Sequence, residues 1–345
     1  MGIAMTAIIS RDYLNFQADR IEQVLASHRV PVRVDGGALS PRWMRFFVAT
    51  APGARLSIVR NLSEEIAMAL GADNVRIARD GHHVAVEVPR PDPEPVLLLP
   101  MLRGLNPPPH TACLGLADDG RPLLMRLSSP DVAHVLVAGA TGSGKTELMR
   151  AIAISLALTN RQRHLQFALI DTKARGFAPL VNLPHLMTPP AFDLDSARDV
   201  LEWLNEEMDR RDRNGVSSPR IAIMVDEAVD LLMVGGKEIE TLLIRLAQRG
   251  REAGLHLIVG AQKPSAGILG AVKANLPLRL VGRVSSTDDA RVATGVSASG
   301  AEKLGGNGDF LAVSGGQVTR FQAAYLSAHD WAGLPRLFSG RFGRP

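Results

Sequence analysis

The chain has 345 residues, 46% of them hydrophobic and only 4% aromatic, with a formal net charge of +4 and one cysteine, Cys113. That length allows two domains with sizeable cores, and one cysteine excludes an internal disulfide and a cysteine-rich metal site. No apolar run approaches the roughly 18 to 20 residues of a membrane-spanning helix, and the N-terminus lacks signal-peptide features, so no direct membrane insertion and a cytoplasmic location are expected.

In chain order, "DYLNFQADRIEQVLASH" places Leu14, Ile21, Val24 and Leu25 on one helical face. "NLSEEIAMALGA" reads as a second helix with Asn61 or Ser63 as N-cap and Gly71 near its end. Strands are expected at "MRFFVAT", "VRIAR" and "HHVAVEV", the last two joined as a hairpin through Asp80 and Gly81. The proline-rich stretches "RPDPEPVLLLP" and "NPPPH" break regular structure, so residues 1–104 form a small α+β domain and 105–345 a second domain. "CLGLADDGRPLLMRL" reads as a hairpin turning at Asp119 and Gly120.

From His134 the pattern becomes short continuous apolar runs separated by helical stretches: "HVLVAGA", "HLQFALID", "IAIMVDE", "LHLIVGAQ" and "LRLVGRV". Runs apolar on both faces and alternating with helices predict an α/β domain whose central, mostly parallel sheet is covered on both sides. The tail "LFSGRFGRP" reads as frayed.

Gly139, Ala140, Thr141, Gly142, Ser143, Gly144, Lys145 and Thr146 satisfy G-x-x-x-x-G-K-[ST] between a predicted strand and a predicted helix, the context that gives the motif meaning. Glycines let the backbone N–H groups and the helix N-terminus face phosphates. Lys145 then reaches the β and γ phosphates of ATP, and the Thr146 hydroxyl ligates Mg²⁺. "IAIMVDE" ends a strand with Asp226 and Glu227 adjacent. One can support Mg²⁺ while the other polarises the attacking water. "LHLIVGAQ" delivers Gln262 to the same sheet edge, where an amide can sense the γ-phosphate.

With these residues placed, the chain resembles the FtsK/SpoIIIE family of DNA-translocating motors over nearly its whole length. The resemblance is carried, in order, by "HVLVAGATGSGKT", "LIDTKARGFAPL", "LPHLMTPPAFDLDSARDVLEWLNEEMDRR", "IMVDEAVDLLMV", "IRLAQRGREAGLHLIVGAQKPS", "VKANLPLRLVGRVSSTDDAR" and "GAEKLGGNGDFL". The N-terminal unit resembles the α domain that precedes the RecA-like β domain in these motors. The resemblance implies a RecA-like P-loop ATPase, acting as a hexameric ring around double-stranded DNA with each nucleotide held between neighbours. Arg251, with Arg249 as alternative, matches the arginine finger inserted by the neighbour. Lys263, Lys273 and Arg291 match the basic positions facing DNA, and Asn275 could also reach phosphate or sugar. Asp171 and Lys173 match an "IDPK" signature and read as a structural pair. Family members at the division septum carry membrane helices ahead of a long linker, and many end in a winged-helix domain; this sequence shows neither. An ATPase moving protein substrates, as in type VII secretion, and a non-pumping DNA-binding factor are the alternatives.

Overall fold

The computed structural model describes residues 9–50, 56–80, 83–263 and 269–342. The chain divides into two compact units after Pro95, with the short segment Asp118–Arg121 grouped with the first. The division precedes the expected Gly104 because α4 (Leu98–Gly104, numbered in chain order) belongs to the second unit. Its Leu98 and Leu99, with Val96, are buried in that unit's core.

In the first unit, α1 (Arg11–Ser27) is capped by Ser10, whose hydroxyl accepts the Tyr13 N–H at 3.1 Å. It buries Ile21 and Leu25, with Leu14 and Val24 partly buried beside them. The sheet is antiparallel in the order β1-β2-β4-β3, built from β1 (Val32–Leu39), β2 (Trp43–Thr50), β3 (Arg76–Asp80) and β4 (His83–Pro89). The hairpin between β3 and β4 pairs Asp80 with His83; Gly81, the expected turn glycine, lies outside the described residues. Strand β1 escapes a search for alternation because Asp35, Gly36 and Gly37 interrupt it, and the pairing with β2 slips between Val34 and Gly36. The expected second helix is α3 (Ser63–Leu70), and a further short helix, α2 (Leu56–Asn61), precedes it. The residue at the N-cap of α3 is Leu62, and no side chain caps it; burying Leu62 outweighs a polar cap from Asn61 or Ser63. Gly71 ends α3 at φ 64°, as its position suggests.

The second unit holds nine strands in the order β6-β5-β13-β12-β11-β7-β10-β9-β8. They are β5 (Thr111–Ala117), β6 (Pro122–Arg126), β7 (Val135–Ala138), β8 (Leu165–Ile170), β9 (Arg220–Val225), β10 (Leu255–Ala261), β11 (Leu278–Gly282), β12 (Asp309–Ser314) and β13 (Gln317–Ala323). The five strands β11, β7, β10, β9 and β8 are mutually parallel. Antiparallel pairing of β12, β13 and the expected β5–β6 hairpin extends the sheet past β11. Strand period decides which face each side chain enters. Val135 and Val137 join a core with α5 (Lys145–Thr159), while Leu136 and Ala138 join one on the other face with α6 (Leu194–Asn214) and α7 (Ala228–Arg249). Beyond these lie α8 (Gly270–Ala274), α9 (Thr287–Thr294) and α10 (Ala328–Phe342). The tail expected to fray is helical to Phe342: Trp331, Leu334 and Phe338 share the spacing of one helical face and pack on the core.

Two histidines lie under the N-terminal ends of the parallel strands. His134 Nδ1 accepts the Leu257 N–H at 2.9 Å. His256 Nε2 is 2.8 Å from an Arg220 guanidinium nitrogen, which can only donate, so His256 Nδ1 donates to the Ala133 carbonyl at 2.8 Å. Both rings are therefore held neutral. Burial, then the Arg251 charge, brings His134 down to about 4. Burial brings His256 to about 3. Unfolding restores values near 6.5, so stability is full above pH ~6.5 and is lost as pH falls toward 4, by roughly 1.4 kcal/mol per pH unit for each ring. Urea midpoints measured from pH 7.5 to 4.5 should decline in this window, and the decline should become shallower in His256→Asn.

Candidate functional site: a phosphate loop against two buried carboxylates

Four buried aliphatic residues, Val135 to Ala138, drive β7 through the middle of the sheet, and the chain leaves it as a glycine-rich loop. Neighbouring strand ends stitch this loop in place. The Gly139 N–H donates to the Ala261 carbonyl at 3.2 Å and the Ala140 N–H to the Arg283 carbonyl at 2.8 Å. The loop's own carbonyls are taken from a second loop: Asn307 N–H donates to Gly142 at 2.9 Å and Gly308 N–H to Ser143 at 2.8 Å. Gly144 sits at φ 97°, and a Cβ there would stand 2.9 Å from the Gly308 nitrogen, so both conformation and close approach require glycine. Helix α5 begins at Lys145, with Thr146 its second residue and half-buried.

The parallel register brings the ends of β9 and β10 beside this helix start. Lys145 Nζ donates to Asp226 Oδ1 and lies 2.8 Å from Glu227 Oε1. Gln262 Nε2 donates to the same Glu227 oxygen at 2.9 Å. Lys145, Asp226 and Glu227 are all buried. One ammonium thus faces two carboxylates, leaving a net negative charge in a low-dielectric pocket, a donor set suited to a divalent cation once Lys145 turns to an anion. The backbone of Glu227 is left-handed, at φ 50° and ψ 48°, a conformation that costs a non-glycine residue of order 1 kcal/mol. Ser143 Oγ is buried without a hydrogen-bond partner. A Cβ at Gly260 would lie 2.8 Å from Asp226 Oδ1 and 3.3 Å from Lys145 Nζ, so the floor of the pocket needs glycine.

A third loop closes the carboxylate side. Asp171 Oδ2 accepts the N–H groups of Gly176 and Phe177 at 2.7 and 2.9 Å, and Arg150 holds the Gly176 and Arg175 carbonyls at 2.6 and 2.8 Å. Asp171 and Lys173, read from sequence as a pair, do not pair through their side chains: Lys173 bonds Asp230 on α7. Asp171 instead spends its carboxylate shaping its own loop.

Lys145, Asp226, Glu227 and Gln262 are therefore brought together at one sheet edge beside residues 139–146, with Lys263 directly following Gln262, whereas Arg251 lies at the other end of β10. Arg251 precedes β10 whereas Gln262 follows it, so the two are separated by the length of that strand, about 20 Å. Arg251 is exposed, with Glu252 3.7 Å away, while Arg249 is bound to Asp209 at 3.0 Å and Asp212 at 2.6 Å. Lys263 is exposed. Lys273 on α8 is half-buried and donates to the Val292 carbonyl at 3.1 Å, and burial lowers its pKa. Asn275 bonds the Ala271 carbonyl at 3.0 Å, and Arg291 on α9 is exposed beside Asp288 at 3.7 Å.

Sequence reasoning missed the support of the phosphate loop. Buried Arg320 on β13 makes two bonds to buried Asp309 on β12, at 2.8 and 2.6 Å, and Asp309 accepts the Gly305 N–H at 2.8 Å. This pair fixes the Gly305–Gly308 turn that grips Gly142 and Ser143. The glycines of "GGNGDF" were a visible signal, but their partner on the next strand was not.

Fold and site together define a P-loop ATPase of RecA-like architecture. The FtsK/SpoIIIE family model matches residues 105–215 and 211–266, and the FtsK alpha domain model matches residues 4–90. DNA translocase SftA of Bacillus subtilis is 33% identical over 92% of this chain and 36% of its own length. DNA translocase FtsK of Staphylococcus epidermidis is 33% identical over 90% of this chain and 43% of its own. The pCW3 conjugation coupling protein TcpA, solved as a monomer with ATPγS, superposes with a TM-score of 0.65 at 16% identity, covering 94% of this chain and 99% of that one. The chain belongs to the FtsK/SpoIIIE family, and it spans less than half the length of these two curated relatives. Among the described residues no helix is long and apolar enough to cross a membrane.

Replacing Arg320 with Met strands a buried carboxylate and should cost about 3 kcal/mol. Chemical denaturation should show the loss, and nucleotide affinity should weaken with it as the Gly305–Gly308 turn loosens.

Proposed function

We propose that the protein is an ATP-dependent double-stranded DNA translocase working as a head-to-tail ring, most simply a hexamer. The observation that carries the ATPase part is Glu227 Oε1, 2.8 Å from Lys145 and 2.9 Å from Gln262 at the edge of the sheet where the phosphate loop opens. When nucleotide phosphates enter, Lys145 exchanges its carboxylate partners for β and γ oxygens. Thr146 and Asp226 are the residues that would hold Mg²⁺, which supplies charge neutralisation at the phosphates. Freed of Lys145, Glu227 polarises the attacking water, and Gln262, already bonded to Glu227, links the γ-phosphate position to it.

Arg251 lies at the other end of β10, so it cannot serve the phosphate loop of its own chain. Pairing one chain's nucleotide edge with the next chain's opposite edge is a heterologous contact, which generates a ring when its rotation closes. Arg249 is committed to Asp209 and Asp212, which favours Arg251 as the finger supplied in trans. Family membership supports DNA as the cargo. Lys263 and Arg291 are exposed cations suited to phosphate contacts that ignore sequence, while Lys273 would have to leave the Val292 carbonyl, and Asn275 the Ala271 carbonyl, to join them.

ATP hydrolysis should be stimulated by long duplex DNA, more strongly at low salt, and should fall at least 100-fold in Lys145→Ala and in Glu227→Gln. Equal rates with and without DNA across a salt series would remove the translocase reading; stimulation by a peptide partner without DNA binding would point to protein cargo. Arg251→Ala should be inactive alone yet regain hydrolysis when mixed with inactive Lys145→Ala, because mixed interfaces unite an intact loop with an intact finger. Failure to complement in oligomers shown to mix would reject Arg251 as the finger.

A further inference from the structure

The Arg283 side chain has no part in the site described so far. The residue follows β11, the parallel neighbour of β7 on the side away from β10, so Arg283 and Gln262 flank the phosphate loop from opposite sides. Its backbone is fixed there by the Ala140 N–H. Its side chain is exposed and makes no ion pair or hydrogen bond among the described residues. A Cβ at Gly142 would stand 4.0 Å from a guanidinium nitrogen, and a Cβ at Gly306 would stand 3.5 Å from the guanidinium carbon. Gly142 and Gly306 have φ of 80° and 72°, so these turns favour glycine on conformational grounds, and the absent side chains leave the guanidinium a clear position across the loop.

We infer that Arg283 is a second nucleotide-contacting cation, supplied by the same chain to the polyphosphate from the β11 side of the loop. The inference rests on the reading of the loop as a nucleotide site. Three observations favour phosphate over base as the partner. The guanidinium lies beside Gly142 of the phosphate loop and Gly306 of the turn behind it. Gly142 and Gly306 present backbone without side chains to it. Lys145 is bound to both carboxylates, whereas the exposed Arg283 beside the loop already stands free to meet an incoming anion. A fork of N–H donors meets phosphate oxygens in pairs and is always charged. It can therefore capture the polyphosphate before Lys145 has left Asp226 and Glu227.

The test is equilibrium binding of ADP and ATPγS to the full chain, with wild type beside Arg283→Gln, Arg283→Ala and Arg283→Lys. The glutamine and alanine variants should each bind both nucleotides about tenfold more weakly, which corresponds to about 1.4 kcal/mol. Arg283→Lys should recover part of the loss. The salt dependence of log Kd should be shallower in Arg283→Gln than in wild type, whereas the preference for adenine over guanine nucleotides should not change. Thermal midpoints without nucleotide should match wild type, since no described side chain uses the guanidinium. Wild-type affinity and salt slope in Arg283→Gln would overturn the inference, as would a loss confined to adenine selectivity. If wild type itself bound no nucleotide, the reading of the loop would fail with it, which separates the two failures.

Discussion

Everything at the site follows from one arrangement of charge: the Lys145 ammonium shared by Asp226 and Glu227 where all three are buried. Burying three ions is tolerable only with close pairing, and close pairing demands that the start of α5 and the end of β9 meet at one place. The parallel order β7-β10-β9 satisfies that demand, because strands running the same way end at the same edge. The aliphatic runs that drive those strands through the sheet are thus part of the chemistry. So is Gly260, without which β10 could not pass beneath the pair. In the proposed mechanism the arrangement prepares its own replacement, since the ammonium that faces the carboxylates is the group that would turn to the phosphates.

The two ends of the parallel strands have different characters. At the C-terminal end are the two carboxylates, the amide of Gln262 and the open backbone of the loop. At the N-terminal end are Arg251, the half-buried Arg220 and two rings kept neutral by burial and hydrogen bonding. The two ends are separated by the length of a strand, so no residue at one end reaches the other within the same sheet. The proposed ring would bring the two ends of neighbouring sheets together.

What the sequence revealed was local. The parallel strands are continuous apolar runs, the loop is a contiguous motif, and Asp226, Glu227 and Gln262 sit at recognisable strand ends, so each was legible from its own neighbourhood. The missed features depend on residues far apart in the chain. Strand β1 hides behind a bulge, and Leu62 displaced a polar cap because the core had room for it. The fate of the last helix was set by Trp331, Leu334 and Phe338 meeting a surface that the sequence does not display. Lys173 found Asp230 rather than Asp171 because α7 passes close by. Arg283 gains its meaning from Gly142 and Gly306, which the fold and not the sequence places beside it.

The antiparallel strands beyond β11 join distant parts of the chain: β5, beginning at Thr111, pairs with β13, which ends at Ala323. Between them lie all five parallel strands and the loop itself. During synthesis the phosphate loop therefore emerges long before the turn at Gly305–Gly308 that holds its carbonyls, and before Arg320, which holds that turn. Contacts so remote in sequence form late in folding. A nascent chain would carry the nucleotide motif complete in sequence yet without its backing, so capacity to bind ATP arrives as one of the last properties the molecule acquires. Until that turn is made, the carbonyls of Gly142 and Ser143 lack the N–H groups that hold them.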